Sequence, residues 1–472
     1  MNEKELALTP AIKLRDLIQS KEISPVEITK IYLDRIDKFD GPLNSYITVT
    51  ADSALESAKS AEDQLMKGND LGLLHGIPIS IKDTQMTKGV KTTSGTLIYK
   101  DRIAEADATI VDKVKKAGAI ILGKTNTPEL GLVGTCINKL GDQGRNPWDI
   151  TRTPGGSSGG AAAAVAAGLC SMATGSDGGG SIRIPSNFCG IFGIKPTQGR
   201  VSAYNGSMSK SHNMFSQNGP LTRTVEDSAL LLNVMAGPDE KDPITYMLPP
   251  IDFKTILSKD VRGLKIAWSP DYGFASVEPE VLDVNYRAAL HLETLGCTVE
   301  EPKLNLYPPY DKYGAIITSD FYNSYGQYLD SHREDMTDFC RFVIERGSRV
   351  TTKEYAETLG YIDALKGKMA KFFQSYDLLV SPTACFPAFT DIDLEDNFTD
   401  ESDFPLHYFN GAFTMQGNLI GYPAASIPVG FTSNGLPVGL HVIAPKHKEE
   451  LILSLALKFQ ETKPWIKSYL SI

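Results

Sequence analysis

The chain has 472 residues, 42% of them hydrophobic, with 47 Lys and Arg against 57 Asp and Glu for a formal net charge of −10. That composition supports a large buried core and excludes general disorder. An acidic chain with no basic run is a poor candidate for a nucleic-acid partner, and with no apolar stretch near the ~18 residues of a membrane span no membrane role is expected. Through about residue 70 the pattern is helical. Ile12, Leu14, Leu17 and Ile18 fall near helical spacing. Ser24-Pro25-Val26-Glu27 reads as a capping box with proline at the first helical position, and Val26, Ile28, Ile31, Tyr32 and Ile36 supply the apolar face. A third helix is expected over Ser53–Leu65.

The period changes at GIPISIKD, where Ile77, Ile79 and Ile81 alternate with Pro78, Ser80 and Lys82 as in a strand. DATIVDKVKKAG followed by AIILGKTNT reads as helix, glycine stop and buried strand. AAAAVAAG is a helix, CSMATG a short strand, and Thr224 with Asp227 opens a helix that runs to Met235. VRGLKIAWS, DVNYRAALHLETLG and CTVEEP repeat the alternation, and YDLLVSPT is a further buried strand. AASIPVGF and LPVGLHVIA flank a hairpin turn at Ser433-Asn434-Gly435, and LILSLALKFQE closes the chain as a helix.

Strands alternating with helices imply an α/β fold, and the terminal hairpin makes its sheet mixed. No repeat or long linker divides the chain, so residues 1–472 are expected to form one domain, with 1–70 as its helical N-terminal portion. Residues from about 300 to 410 are read as a peripheral cap, polar, helical and aromatic-rich over 307–365, with an acidic surface loop at Asp391–Phe404. The six cysteines (Cys136, Cys170, Cys189, Cys297, Cys340, Cys385) are scattered without a CxxC pair, which suits reduced, buried thiols in a cytoplasmic protein. The N-terminus carries charges of both signs and no apolar block with a cleavage site, so no secretory signal is read there. The seven histidines lack HxxxH or HExxH spacing, so no metal or other cofactor is expected.

Chemistry concentrates between Gly155 and Ser186, in GGSSGGAAAAVAAGLCSMATGSDGGGSIRIPS. Glycine clusters let backbone approach a ligand closely, and successive N–H groups at Gly179, Gly180 and Ser181 suit an oxyanion. A flexible linker is a poor reading, because a helix and an apolar strand lie between the clusters. A phosphate loop is another, but no GK[ST] follows and no GxGxxG opens a helix after a strand. GGSSG and GSSGG also fit G-x-S-x-G, the nucleophile elbow, which needs a later Asp or Glu and a His such as His441. That reading leaves GGGSIR unexplained.

GIPISIKD, ILGKTNTPE, NPWDITRTPGGSSGG, ATGSDGGGSIRIPS, CGIFGIKPTQGRVS and YPAASIPVGF…GLPVGLHVIA resemble, in order and spacing, the amidase signature hydrolases. The resemblance covers nearly the whole chain and is strongest from Gly76 to Thr197. It implies a large mixed β-sheet sandwiched between helices, and a Ser–cis-Ser–Lys triad. The nucleophile would be Ser181, the bridging serine Ser157 after a cis peptide bond, and the base Lys82. It further implies that Gly178, Gly179, Gly180 and Ser181 hold the oxyanion, and that Ser158, Asp177 and Arg183 support the loop; a plain surface ion pair is the alternative for the last two. Serine needs a base to become a nucleophile, and lysine serves only when neutral, so burial must bring its pKa down from about 10.4.

The expected activity is hydrolysis of a small, apolar aryl or alkyl amide through an acyl-serine. The glutaminase subunit of a tRNA-dependent amidotransferase and an esterase, carbamate or oligoamide hydrolase are alternatives within the family. A scaffold without activity is disfavoured because all three triad positions are intact. Pocket residues are sought among Cys136, Tyr204, Met208, Phe215, Tyr322 and Tyr325, with ordinary core packing as the alternative for each. The expected partner is the amide substrate alone, and a homodimer is an allowed assembly.

Overall fold

A computed structural model describes residues 2–69, 72–206, 214–245, 252, 257, 259–390, 411–465 and 469. Among the described residues, eleven strands hydrogen-bond into one sheet. In chain order they are β1 (Tyr46–Val49), β2 (Pro78–Lys82), β3 (Ile120–Thr125), β4 (Met172–Asp177), β5 (Phe192–Lys195) and β6 (Gln217–Thr222). β7 (Lys265–Trp268), β8 (Thr298–Glu300), β9 (Leu378–Pro382), β10 (Ala424–Phe431) and β11 (Pro437–Ile443) complete it. Across the sheet the order is β1-β3-β2-β4-β6-β5-β10-β11-β9-β7-β8. β3, β2 and β4 run parallel, as do β9, β7 and β8, while the middle of the sheet is antiparallel. The sheet is therefore mixed, as the hairpin β10–β11 required.

The expected helices form where their local chemistry asks for them. Glu27 N–H donates to Ser24 Oγ at 3.0 Å and Ser24 N–H to Glu27 Oε2 at 2.7 Å, which closes the capping box of the Pro25–Phe39 helix. Helices follow at Ala51–Met66, Thr109–Lys116, Gly159–Ala166, Val225–Met235, Pro279–Thr294 and Glu449–Thr462. Together they cover the sheet with one continuous apolar cluster. A second cluster lies under the helices Tyr310–Tyr325, Asp338–Gly347 and Thr352–Phe372, in the region read as a cap. The acidic stretch Asp391–Phe404 lies outside the described residues.

Several elements depart from the sequence reading. The N-terminal portion is not wholly helical, because Tyr46–Val49 adds an antiparallel edge strand to β3. Its run of β-branched and aromatic residues is four long, too short for periodicity to separate from the helices around it. β6 carries Gly219 and Pro220 inside it, which argues against a strand locally. Pairing to β4 on one side and β5 on the other overrides that. The helix Arg183–Cys189 was also unforeseen. Its Pro185 sits in the first turn, where no N–H is needed, and Gly190 ends it in the left-handed conformation at φ 67°. Every residue of β2 is buried, including the polar side. Lys82 is thus not a solvated strand-end lysine.

Candidate active site

β2 and β4 are parallel neighbours in register, Ile81 opposite Thr174. Their C-terminal ends consequently bring Lys82 beside Ser176 and Asp177. The Gly/Ser run between them supplies the rest: Ser157 and Ser158 immediately precede the Gly159–Ala166 helix, and Ser181 precedes the Arg183–Cys189 helix. Reactive groups at the C-terminal ends of parallel strands and at helix starts are the usual outcome of this layered architecture.

Lys82 is fully buried, with Nζ 2.7 Å from Ser157 Oγ and 3.0 Å from Ser176 Oγ. Burial pushes the ammonium down to about 7, against a smaller opposing pull from the Asp177 carboxylate. A neutral amine offers two N–H groups and one lone pair, and hydroxyl protons rotate, so Nζ can donate to Ser176 while accepting from Ser157. The Gly156–Ser157 peptide bond is cis. The Ser157 carbonyl accepts from Thr127 Oγ1 at 2.8 Å, which ties that turn to the segment after β3. Ser181 lines a cleft together with Ser157 and Ser176. Its carbonyl accepts from Ser158 N–H at 3.1 Å, and its hydroxyl has no hydrogen-bond partner among the described residues. Ser158 Oγ donates to the Ser176 carbonyl at 3.3 Å, a local contact that joins the two serine loops.

Asp177 and Arg183 are not a surface pair, for both side chains have 0% exposure. Arg183 Nη2 and Nε donate to the two Asp177 oxygens at 2.8 and 2.9 Å. The same carboxylate accepts from Gly180 N–H at 2.8 Å and Ile182 N–H at 3.1 Å. Burial alone would push Asp177 up, but Arg183, with help from Lys195 and Asn418, holds it well below the usual carboxylate range. The remaining guanidinium donors reach the Thr414 carbonyl at 2.8 Å, Asn418 Oδ1 at 2.6 Å and His441 Nε2 at 2.9 Å. Such a saturated buried pair fixes the backbone that curls from Asp177 to Ile182.

This arrangement narrows the oxyanion reading. The Gly180 N–H is already held by Asp177 and is withdrawn from the set. Among the described residues the N–H groups of Gly178, Gly179 and Ser181 make no turn or cap hydrogen bond, and all three residues line the cleft. The elbow reading loses its named candidate, His441. His441 is buried with its ring on Arg183, and burial followed by the Arg183 charge pushes its pKa well down.

The cleft has a volume of about 690 Å³, within the range of small-molecule sites. Of the sequence-predicted pocket residues, Tyr204 and Tyr325 line it. Cys136, Phe215 and Tyr322 do not. Cys136 is buried behind the serine loop against Gly144 and Gly159. Phe215 is core, its carbonyl accepting from Asn418 Nδ2 at 3.0 Å. Tyr322 points outward and is 43% exposed, one helical position off the cleft face. Met208 lies outside the described residues. Sequence reasoning missed Ser176, Gln85, Asn218, Arg102 and Asp320, all in the cleft wall. Ser176 alone had a usable cue, its place beside Asp177 at a strand end. The others come from separate loops and a helix that only tertiary folding brings together.

A family model described as Amidase matches residues 27–453. An acylamidase of Rhodococcus erythropolis is 35% identical over 471 residues, 98% of each chain. A glutamyl-tRNA(Gln) amidotransferase subunit from Carboxydothermus hydrogenoformans is 37% identical, over 98% of this chain and 99% of that one. The crystal structure of a bacterial aryl acylamidase of the amidase signature enzymes superposes with a TM-score of 0.89 at 30% identity, covering 98% of this chain and 97% of that one. With a matching family model across most of its length, relatives matched end to end and a shared large mixed sheet, this chain belongs to the amidase signature family.

Proposed function

We propose that the protein hydrolyses a small, largely apolar aryl or alkyl amide through an acyl-enzyme on Ser181. The observation that carries this reading is the fully buried Lys82, pushed down to about 7 and 2.7 Å from the Ser157 hydroxyl beside the open Ser181. A lysine poised near neutrality is suited to take a proton and return it. In the proposed cycle Ser181 Oγ attacks the carbonyl carbon while its proton passes to Ser157 and the Ser157 proton to Lys82. The N–H groups of Gly178, Gly179 and Ser181 receive the oxyanion, each worth roughly 3 kcal/mol in the transition state. Collapse breaks the C–N bond, and the proton returns by the same path to the leaving nitrogen, which departs as a neutral amine. Water then adds to the acyl-serine, gives its proton along the same relay, and releases the acid with Ser181 restored. Asp177 and Arg183 act by holding the loop and do not touch substrate.

Apolar and aromatic side chains such as Leu130, Val133, Ile317, Phe321, Tyr325 and Met415 line the cleft and support an aryl or alkyl substrate. The acylamidase relative and the aryl acylamidase neighbour point the same way. A second reading, the glutaminase subunit of an amidotransferase, is favoured by the 37% identity to a protein of that kind. One panel separates the two: short aliphatic amides, anilides, and glutamine with and without added partner subunits. Turnover of anilides by the isolated chain supports the hydrolase, and ammonia release from glutamine only with partners supports the amidotransferase reading. Ser181→Ala is expected to abolish anilide turnover, and a fluorophosphonate should label the Ser181 peptide. Retained activity, or labelling at Ser158, would sink the assignment.

A further inference from the structure

The helix Tyr310–Tyr325 turns one face into the cleft. Tyr313, Ile317, Asp320, Phe321 and Ser324 line it at three- and four-residue intervals. The start of this face stands over the proposed oxyanion loop: a methyl group added at Gly179 would come within 2.7 Å of the Tyr313 hydroxyl. Two turns further on, the same face presents a carboxyl group among apolar and aromatic side chains. Asp320 has no hydrogen-bond or ion-pair partner among the described residues, and burial alone pushes its carboxyl up to about 7. The cations that share the cleft are engaged elsewhere. Arg102 donates to the Thr92 carbonyl and Ser94 Oγ at 2.8 and 2.9 Å and lies 4.1 Å from the Tyr99 ring centre. Lys241 sits over the Tyr204 ring at 5.0 Å. Tyr355, from the Thr352–Phe372 helix, is the titratable neighbour that senses Asp320.

No step of the cycle above uses this carboxyl, since Lys82 already accepts and returns the proton. An unpartnered carboxylate in a partly desolvated wall is costly, and a cation brought by the substrate would remove that cost. We propose that Asp320 is a specificity-determining residue that holds an ammonium group on the substrate, so that the preferred amides carry a basic amine at the end of the acyl chain remote from the scissile bond. The proposal rests on the acyl-serine reading of the same cleft and narrows its substrate class. The aromatic rings of Phe321 and Tyr325 share this end of the cleft and favour a cation as well. Asp320 stands seven helical positions beyond Tyr313, about 10 Å along the axis. At roughly 1.2 Å per bond of extended chain, the amine would stand about five to eight bonds from the carbonyl.

The test compares 7-aminoheptanoyl and octanoyl 4-nitroanilides, matched in length, on the wild type, Asp320→Asn and Asp320→Glu. The readout is the amino-to-alkyl ratio of kcat/KM, in which any common effect on folding or on the triad cancels. Asp320→Asn should lower this ratio at least tenfold, mainly through KM of the amino substrate, and Asp320→Glu should restore most of it. A ratio that Asp320→Asn leaves unchanged overturns the proposal. Calorimetric binding of heptylammonium to the Ser181→Ala protein, with and without Asp320→Asn, reads the subsite without turnover. A tenfold weakening supports the subsite, and equal affinity overturns it. If neither anilide is hydrolysed by the wild type but heptylammonium binding still depends on Asp320, the subsite stands and the acyl-serine reading falls.

Discussion

Replacing Lys82 by methionine should stabilise the fold while it removes amide cleavage. Methionine keeps the length and most of the volume of lysine, so the packing around β2 is preserved. Burial takes the lysine from an ordinary 10.5 to about 7. At roughly 1.4 kcal/mol per pH unit, the folded protein carries this side chain at a cost of about 5 kcal/mol at and below pH 7. The substitution also removes the contacts to Ser157 and Ser176, at 2.7 and 3.0 Å. Two buried hydrogen bonds offset the gain by about 2–3 kcal/mol. The net expectation is a methionine variant more stable by about 2 kcal/mol near pH 6. The sign of its pH dependence follows from the depressed pKa. Between pH 7 and 10.5 the unfolded chain binds more protons at this site than the folded one, so wild-type stability rises with pH through that window. The advantage of the variant therefore shrinks above pH 7 by about 1.4 kcal/mol per pH unit and reverses at about pH 8.5. Lys124 and Lys195 are also buried and pushed down to about 7, but they are present in both proteins and cancel in the difference. Urea denaturation of both proteins from pH 6 to 9.5 measures this difference. A variant less stable than wild type at pH 6, or a difference that stays flat across the range, would refute the reasoning.

Three further outcomes are expected. For a neutral anilide, kcat/KM should rise with pH and level off above about 7, because only neutral Lys82 can take the proton; a flat profile from pH 5 to 9 removes Lys82 as the base. Gly180 has φ 136°, and a methyl group there would overlap Thr414 Oγ1 and approach Ile184 Cδ1 to 2.6 Å. Gly180→Ala should cost about 2–3 kcal/mol and lower kcat by about a hundredfold through misplacement of the loop. Gly435→Ala, at φ 78° with nothing within 4 Å, should cost about 1 kcal/mol and leave turnover unchanged. Thermal melts and anilide kinetics on the pair check both, and equal effects of the two substitutions on turnover would contradict the placement of Gly180.

Local chemistry made much of the fold legible. The capping box at Ser24–Glu27, the glycine stop after the Thr109–Lys116 helix and the hairpin at Ser433–Gly435 are each decided by residues in contact along the chain. Elements that depend on partners were not legible. β6 contains a proline, β1 is four residues long, and the Arg183–Cys189 helix begins in a loop whose shape is imposed by the Asp177–Arg183 pair. The candidate pocket divided in the same way. Tyr325 lines the cleft while Tyr322 faces outward, although both stand on one helix and look alike in composition.

The sequence by itself determined the α/β class and the mixed sheet, and its resemblance to the amidase signature family singled out Lys82, Ser157 and Ser181 as the residues proposed for the triad. These follow from periodicity, from turn residues and from ordered motifs, which need no knowledge of what packs where. Tertiary structure alone decided the state of those residues. Lys82 is a base candidate only because β2 is buried on both faces and strips water from its amine. Gly180 leaves the oxyanion set because Asp177 takes its N–H. Asp320 acquires meaning because a helix more than a hundred residues downstream of Ser181 turns it into the cleft that Ser181 lines. Desolvation and hydrogen-bond allocation are properties of packing, and packing joins parts of the chain that local patterns cannot connect.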